Sequence, residues 1–208
     1  KQKAANIRDG IPSAEQREAW IDKSIDLLAT HGEALAKAMA EDFGHRSLDQ
    51  SSLTDIAGSI GALKFSRKHL RKWMRPEKRK VEFPLGLLGS NAQIQYQPKG
   101  VIGVISPWNF PVNLTFAPLA NVFAAGNRAM IKPSEFTEKT SELMAELIAK
   151  YYTEEEVAVV TGGPDVGAMF TKLPFDHMIF TGATSIAQHV MRAAADNLVP
   201  LTLELGGK

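Results

Sequence analysis

GVIGVISPWNFPVNLTFAPLANVFAAGNRAMIKPSE, from Gly100 to Glu135, reads as strand, loop, helix, strand and loop. Val101-Ile102-Gly103-Val104-Ile105 is a short apolar run rich in β-branched residues, the pattern of a strand covered on both faces. Ser106 ends that run, and Pro107 and Pro111 then bracket Trp108, Asn109 and Phe110. Pro111 suits the first turn of a helix, where a missing N–H costs nothing. Gly126, after Ala124-Ala125, suits the residue just past the helix end. Arg128 to Ile131 is the next strand, closed by Lys132-Pro133-Ser134-Glu135. In an open parallel sheet, ligands bind in the crevice beyond the strands' carboxyl ends, which is where both polar loops fall.

Downstream the alternation continues. Glu138 to Lys150 is an amphipathic helix, Val157 to Val160 a strand, and Gly162-Gly163-Pro164 turns into a short helix through Gly167, Met169 and Phe170. His177 to Phe180 is a further strand, Thr181-Gly182-Ala183-Thr184 opens another helix, and Pro200 to Leu203 is the fifth strand. Five strands alternating with helices predict a parallel α/β sheet covered by helices. Upstream, Ser13 and Gln16 have the spacing of a capping box. The helix they open is expected to break near Thr30-His31-Gly32 and to resume through Leu35 and Met39 as far as Gly44. A long helix from Leu48 to about Met74 places Ile56, Ile60, Leu63 and Leu70 roughly on one face. Its end is basic (Arg67, Lys68, Arg71, Lys72, Arg75), which fits cations near a helix C-terminus on a solvated face better than a nucleic-acid surface. Lys80 to Phe83 and Ala92 to Gln97 read as two extended arms, the second half-exposed because Ala92, Ile94 and Tyr96 alternate with glutamines.

The 208 residues (22.7 kDa) suffice for a real core in one domain or a little more. Hydrophobic content of 44% and charged content of 23% are those of an ordinary soluble globular chain. A net charge of +1 gives no global reason to expect nucleic acid or a membrane as partner. No apolar run approaches the roughly 20 residues that span a bilayer, and KQKAANIRDG is no secretory signal, so a cytoplasmic enzyme is expected. With no cysteine, these residues hold no disulfide or thiolate metal site. The five histidines show no ligand spacing, so no metal is expected.

PWNFP, KPSE, Phe180-Thr181-Gly182 and Leu203-Glu204-Leu205-Gly206-Gly207-Lys208 occur in the order and at the spacing that mark the aldehyde dehydrogenase family, which the chain resembles. The resemblance covers most of the chain and is strongest from Pro98 onward. It implies a Rossmann-like parallel sheet with N-terminal helices and a protruding β-hairpin. Residues 1–79 would be the N-terminal helical part of the NAD-binding domain, 80–97 the bridging hairpin used in oligomerisation, and 98–208 the NAD-binding core. The implied activity is NAD(P)-dependent oxidation of an aldehyde to a carboxylic acid through a cysteine thioester. In the family that cysteine follows the ELGGK motif by a few dozen residues, so the stretch is expected to be the N-terminal portion of a longer enzyme and inactive alone. QPKGVIGVISPWNFPVNL resembles the branch acting on fatty and aromatic aldehydes, coniferyl aldehyde included. A homodimer or homotetramer is implied. Two other readings stand beside this one: a non-catalytic dinucleotide-binding or assembly module, and an acylating or phosphate-reducing relative, which would not need Glu204.

Two residues are catalytic candidates. Asn109 would donate its side-chain amide to a developing oxyanion from a loop stiffened by two prolines, where such a donor contributes on the order of 3 kcal/mol. A turn-forming asparagine before a helix is the plainer reading. Glu204 lies between Leu203 and Leu205 in an apolar strand, where a carboxylate is costly unless it serves a purpose. Desolvation suits a carboxyl to general-base work, and the resemblance gives it the deacylating water. For the cofactor, the chain has no G-x-G-x-x-G; Gly162-Gly163 with Gly167 is its nearest approach. The resemblance puts Ile105, Ser106, Pro107 and Trp108 along the adenosine and phosphates, although Trp108 fits a core aromatic equally well. It puts Lys132 and Glu135, with Ser134, at the adenosine ribose. A carboxylate there accepts from the ribose hydroxyls and repels a 2′-phosphate, favouring NAD over NADP. Lys132 and Glu135 also fit a plain surface ion pair. Phe180, Thr181, Gly182 and Ala183 sit where a helix N-terminus would hold a pyrophosphate, with Ala183 lacking the family's usual serine hydroxyl. Gly162 and Gly167, and Leu205 and Gly206 beyond Glu204, complete the cofactor candidates.

Overall fold

The computed structural model describes residues 1–207. Five parallel strands make its centre: β3 (Val101–Ile105), β4 (Arg128–Lys132), β5 (Val157–Val159), β6 (His177–Gly182) and β7 (Leu201–Leu205), in the spatial order β5-β4-β3-β6-β7. β3 lies in the middle, and the chain adds strands first to one side of it and then to the other. That reversal is the topological switch point of a doubly wound sheet. Register aligns Lys132, Ile105, Phe180 and Leu203 in one row across four strands. The loops of interest begin just beyond that row.

Alternation of side chains sends each strand's residues to two different cores. Ile102, Val104, Ala129 and Ile131 face a cluster completed by α5 (Asn113–Ala124), α6 (Glu138–Tyr151) and the N-terminal helices. Val101, Met178 and Phe180 face a second cluster with α7 (Pro164–Phe170) and α8 (Thr184–Ala195). The sheet is therefore a wall between two helical layers, as the β/α alternation predicts.

The N-terminal part departs from expectation in three places. α1 (Gln2–Asp9), which the reading above did not anticipate, anchors to the sheet through Gln2 Nε2, which donates to the Ala129 carbonyl at 2.6 Å. α2 (Ala14–Phe43) is one unbroken helix of 30 residues, opened by Ser13 accepting from the Gln16 N–H and closed by Gly44 in a left-handed conformation. The expected break at Thr30–Gly32 is absent. Gly32 serves close approach there, since a Cβ at this position would lie 2.9 Å from the Ile56 side chain. α3 (Leu48–Ser51), a π-helical turn (Ser52–Ala57) and α4 (Gly58–Trp73) together form the predicted long helix. Two cations at the basic end of α4 pair with α2: Arg67 with Asp22 at 2.6 Å and Arg71 with Glu18 and Glu15 at 2.7 and 2.9 Å.

The hairpin is also shifted. Its strands are β1 (Glu77–Arg79) and β2 (Ala92–Ile94), paired antiparallel, so the first arm forms earlier than the expected 80–83. Every residue of both strands is exposed, Ile94 at 40%. Phe83, Leu87 and Leu88 at its tip are also exposed. Among the described residues, no helix is long and apolar enough to cross a membrane.

Candidate active site

A cleft of about 930 Å³ opens at the carboxyl end of the sheet, at the switch point between β3 and β6. Pro107, Trp108 and Asn109 reach it from the loop after β3, and Thr181, Gly182 and Ala183 from the end of β6 and the loop after it. Glu204, Leu205 and Gly206 reach it from β7 and beyond. Strand register sets Glu204 beside Thr181. Two catalytic candidates 95 residues apart in sequence (204 − 109) thus share one cleft. Its floor is Ile179 and Thr202, and its far wall is α5 with Leu114, Ala117 and Pro118.

Asn109 is exposed at the cleft mouth. Its Oδ1 accepts from the Phe110 N–H at 3.1 Å. A backbone N–H can only donate, so this contact fixes which way the amide faces and leaves the Nδ2 hydrogens for a ligand. The loop's other residues are framework or wall. Ser106 is buried and accepts at Oγ from Thr115 Oγ1 at 2.7 Å, while Ile105 is partly buried against the second core cluster. Trp108 is 51% exposed, so it is not a core aromatic; its ring lies 6.0 Å from that of Phe43.

Glu204 departs from the expected desolvated strand. It is exposed, because α7 and α8 cover the other face of β6 and β7 while α5 stops at the cleft's far wall. Phe180 is also more inward than a cofactor contact, buried at 4% exposure in the second core. It shapes the site from below: a Cβ on Gly182 would meet the Phe180 ring at 2.7 Å, so a side chain there would have to displace the ring. Ala183 then opens α8 without any side-chain cap; the Ile186 N–H turns back to the Ala183 carbonyl at 3.0 Å, and the N–H groups of Thr184 and Ser185 are left available to an anion.

A second, smaller cavity of about 250 Å³ joins the loop after β4 to the turn after β5. Ser134 and Glu135 line it from one side, and Gly162 and Gly163 from the other. Gly162 adopts φ 137°, a conformation that favours glycine, and packs against Val166. Gly167 lies inside α7 and lines neither cavity. Lys132 is buried, which excludes a plain surface ion pair. Its Nζ donates to the Pro133 carbonyl at 2.7 Å and stands 3.7 Å from Glu135 Oε2. Burial pushes the Lys132 amine below its ordinary value, partly offset by Glu135 and Asp165. Asp42 of α2 steadies this region by accepting from the Lys139 and Thr140 N–H groups at 3.0 and 2.9 Å.

Sequence reasoning missed two residues that brace the first loop, Arg46 and Asp55. The signal was there: Asp55 shares the helical face of Ser59, Leu63, Ser66 and Leu70, and all five are buried. A carboxylate on such a face requires a partner. Among the described residues, no group of acidic residues and histidines could hold a metal ion.

A doubly wound sheet with a cleft at its switch point is the architecture of nucleotide-binding α/β proteins. A sequence model of the aldehyde dehydrogenase family matches residues 10–208, and the chain belongs to that family. It is 66% identical over its whole length to a probable coniferyl aldehyde dehydrogenase of Caulobacter vibrioides, of which it covers 43%. Among solved structures, it superposes over its whole length on the substrate-bound AldH of Staphylococcus aureus with a TM-score of 0.92 at 31% identity, covering 44% of that chain. An aldehyde dehydrogenase of Mycobacterium tuberculosis complexed with NAD+ gives a TM-score of 0.86 at 30% identity, with 42% of that chain covered. The chain thus spans less than half the length of these relatives.

Proposed function

We propose that these residues are the cofactor-binding part of an enzyme that oxidises an aldehyde, aromatic or aliphatic, to a carboxylic acid. The meeting of Asn109 and Glu204 in one cleft carries this reading. A bound nicotinamide dinucleotide would supply the hydride acceptor. The uncapped start of α8 suits its pyrophosphate, and the Glu135 carboxylate beside Lys132 suits ribose hydroxyls and opposes a 2′-phosphate, favouring NAD. Asn109 donates from Nδ2 to the carbonyl oxygen as negative charge gathers on it. Glu204 takes a proton from the water that releases the acid. The nucleophile is a cysteine outside these residues, and an intact mass well above 22.7 kDa with a reactive thiol would support that.

The identity to the Caulobacter relative makes coniferyl aldehyde the first substrate to test. Subunits are proposed to associate through the hairpin tip, and Leu87→Glu should then lower the sedimenting mass. We place the enzyme in the cytoplasm, which cell fractionation would test. In the full-length enzyme, Asn109→Ala should lower kcat by about 10²- to 10³-fold with little change in fold. Glu204→Ala should slow turnover strongly at the deacylation step. Near-normal turnover in both variants would sink the assignment.

A further inference from the structure

We propose that the buried Arg46–Asp55 ion pair is a positioning device for Asn109; this rests on the oxyanion role given to Asn109 above. Arg46 follows α2 and Asp55 lies in the π-helical turn, and their side chains are 7% and 0% exposed. Arg46 Nη2 meets Asp55 Oδ2 at 2.6 Å. From that pair, contacts reach both halves of the loop. Arg46 Nη1 donates to the Asn109 carbonyl at 2.5 Å. The guanidinium also lies between the Phe43 and Phe110 rings, 4.8 and 5.1 Å from their centroids. Asp55 Oδ1 accepts from the N–H groups of Val112 and Asn113 at 3.2 and 3.1 Å, capping α5 where the loop ends.

The span 109–113 is therefore gripped at a carbonyl, a ring and two N–H groups, and Pro111 between them has no N–H to satisfy. Buried ion pairs seldom gain stability over apolar residues of similar volume. What this pair supplies is direction, since a planar fork can hold a carboxylate and a carbonyl while stacking on rings. The π-turn is consistent with this, because such turns shift helical register and recur at functional sites. The grip on the Asn109 carbonyl sets the 109–110 peptide plane. That peptide's N–H in turn holds Asn109 Oδ1, so the carbonyl, the peptide plane and the amide move together.

The test is a double-mutant cycle in the full-length enzyme with Arg46→Lys, which keeps the charge beside Asp55 but loses the fork and the stacking. The expected result is a fall in kcat of about ten- to a hundredfold, with cofactor affinity and melting temperature nearly unchanged. In the Asn109→Ala background, Arg46→Lys should cause no further loss, because Arg46 acts through Asn109. Wild-type kcat in Arg46→Lys, or losses that multiply in the double variant, would overturn the proposal. Normal turnover in Asn109→Ala alone would overturn the oxyanion role itself, a result the same cycle reads separately. Should Arg46→Lys not fold, Phe43→Leu, which leaves the ion pair intact, takes its place with the same expected and overturning results.

Discussion

Glu135 keeps 34% of its side chain in solvent while its partner Lys132 is buried at 4%. The asymmetry makes the carboxylate the adjustable member, and it lines the smaller cavity where a ribose would lie. Glu135→Gln should therefore raise kcat/KM with NADP relative to NAD, because the repulsion of a 2′-phosphate is removed while the buried amine remains. An unchanged ratio would show that Glu135 does not read the cofactor. Candidates that local chemistry marks, such as Asn109 between two prolines, were singled out from sequence. Those defined by a partner far along the chain were not. Arg46 is 63 residues from Asn109 and Asp55 is 57 from Val112, and neither sits in a motif. Glu204 shows the opposite limit. An apolar sequence neighbourhood suggested burial, but which helices cover a strand is set by topology.

Among the elements, helix and strand types within the central unit follow from periodicity, and β3 has the expected bounds. The N-terminal helices were harder to read. Gly32 reads as a break in isolation and acts as a contact point, because Ile56 arrives from a helix that local pattern cannot place. Charges tie the same helices at the surface. Glu15 is held at about 2 instead of 4.5, first by its own backbone N–H, then by Arg71 and by Ser13. With the folded value below the unfolded one, its contribution is complete above pH about 4.5 and is lost as pH falls through about 2. Arg71→Gln should flatten the loss of stability over that interval in acid denaturation. The difference should shrink in high salt, because these groups are exposed. An identical acid limb in the variant would remove Arg71 from the account.

At the scale of the molecule, the alternation of strands and helices predicted the sheet, but the order β5-β4-β3-β6-β7 and the two separate cores are products of assembly. One feature of that assembly reaches beyond the folded state. The first core draws on Trp20 through Val157, whereas the second, apart from Val101, draws on Phe170 through Val199. A ribosome therefore releases everything needed for one face of the wall before the strands and helices of the other face exist. The N-terminal helices, β3, α5, β4, α6 and β5 should close first as a cooperative unit, with α7, α8, β6 and β7 docking onto a surface already formed. Pulse-labelled hydrogen exchange during refolding should show amides of β3 and β4 protected before those of β6 and β7; simultaneous protection would mean the two faces fold as one. During synthesis, the nascent chain would display an unpaired edge of β3 until β6 emerges to cover it, a brief exposure that makes this strand the point most open to chaperones and to mispairing.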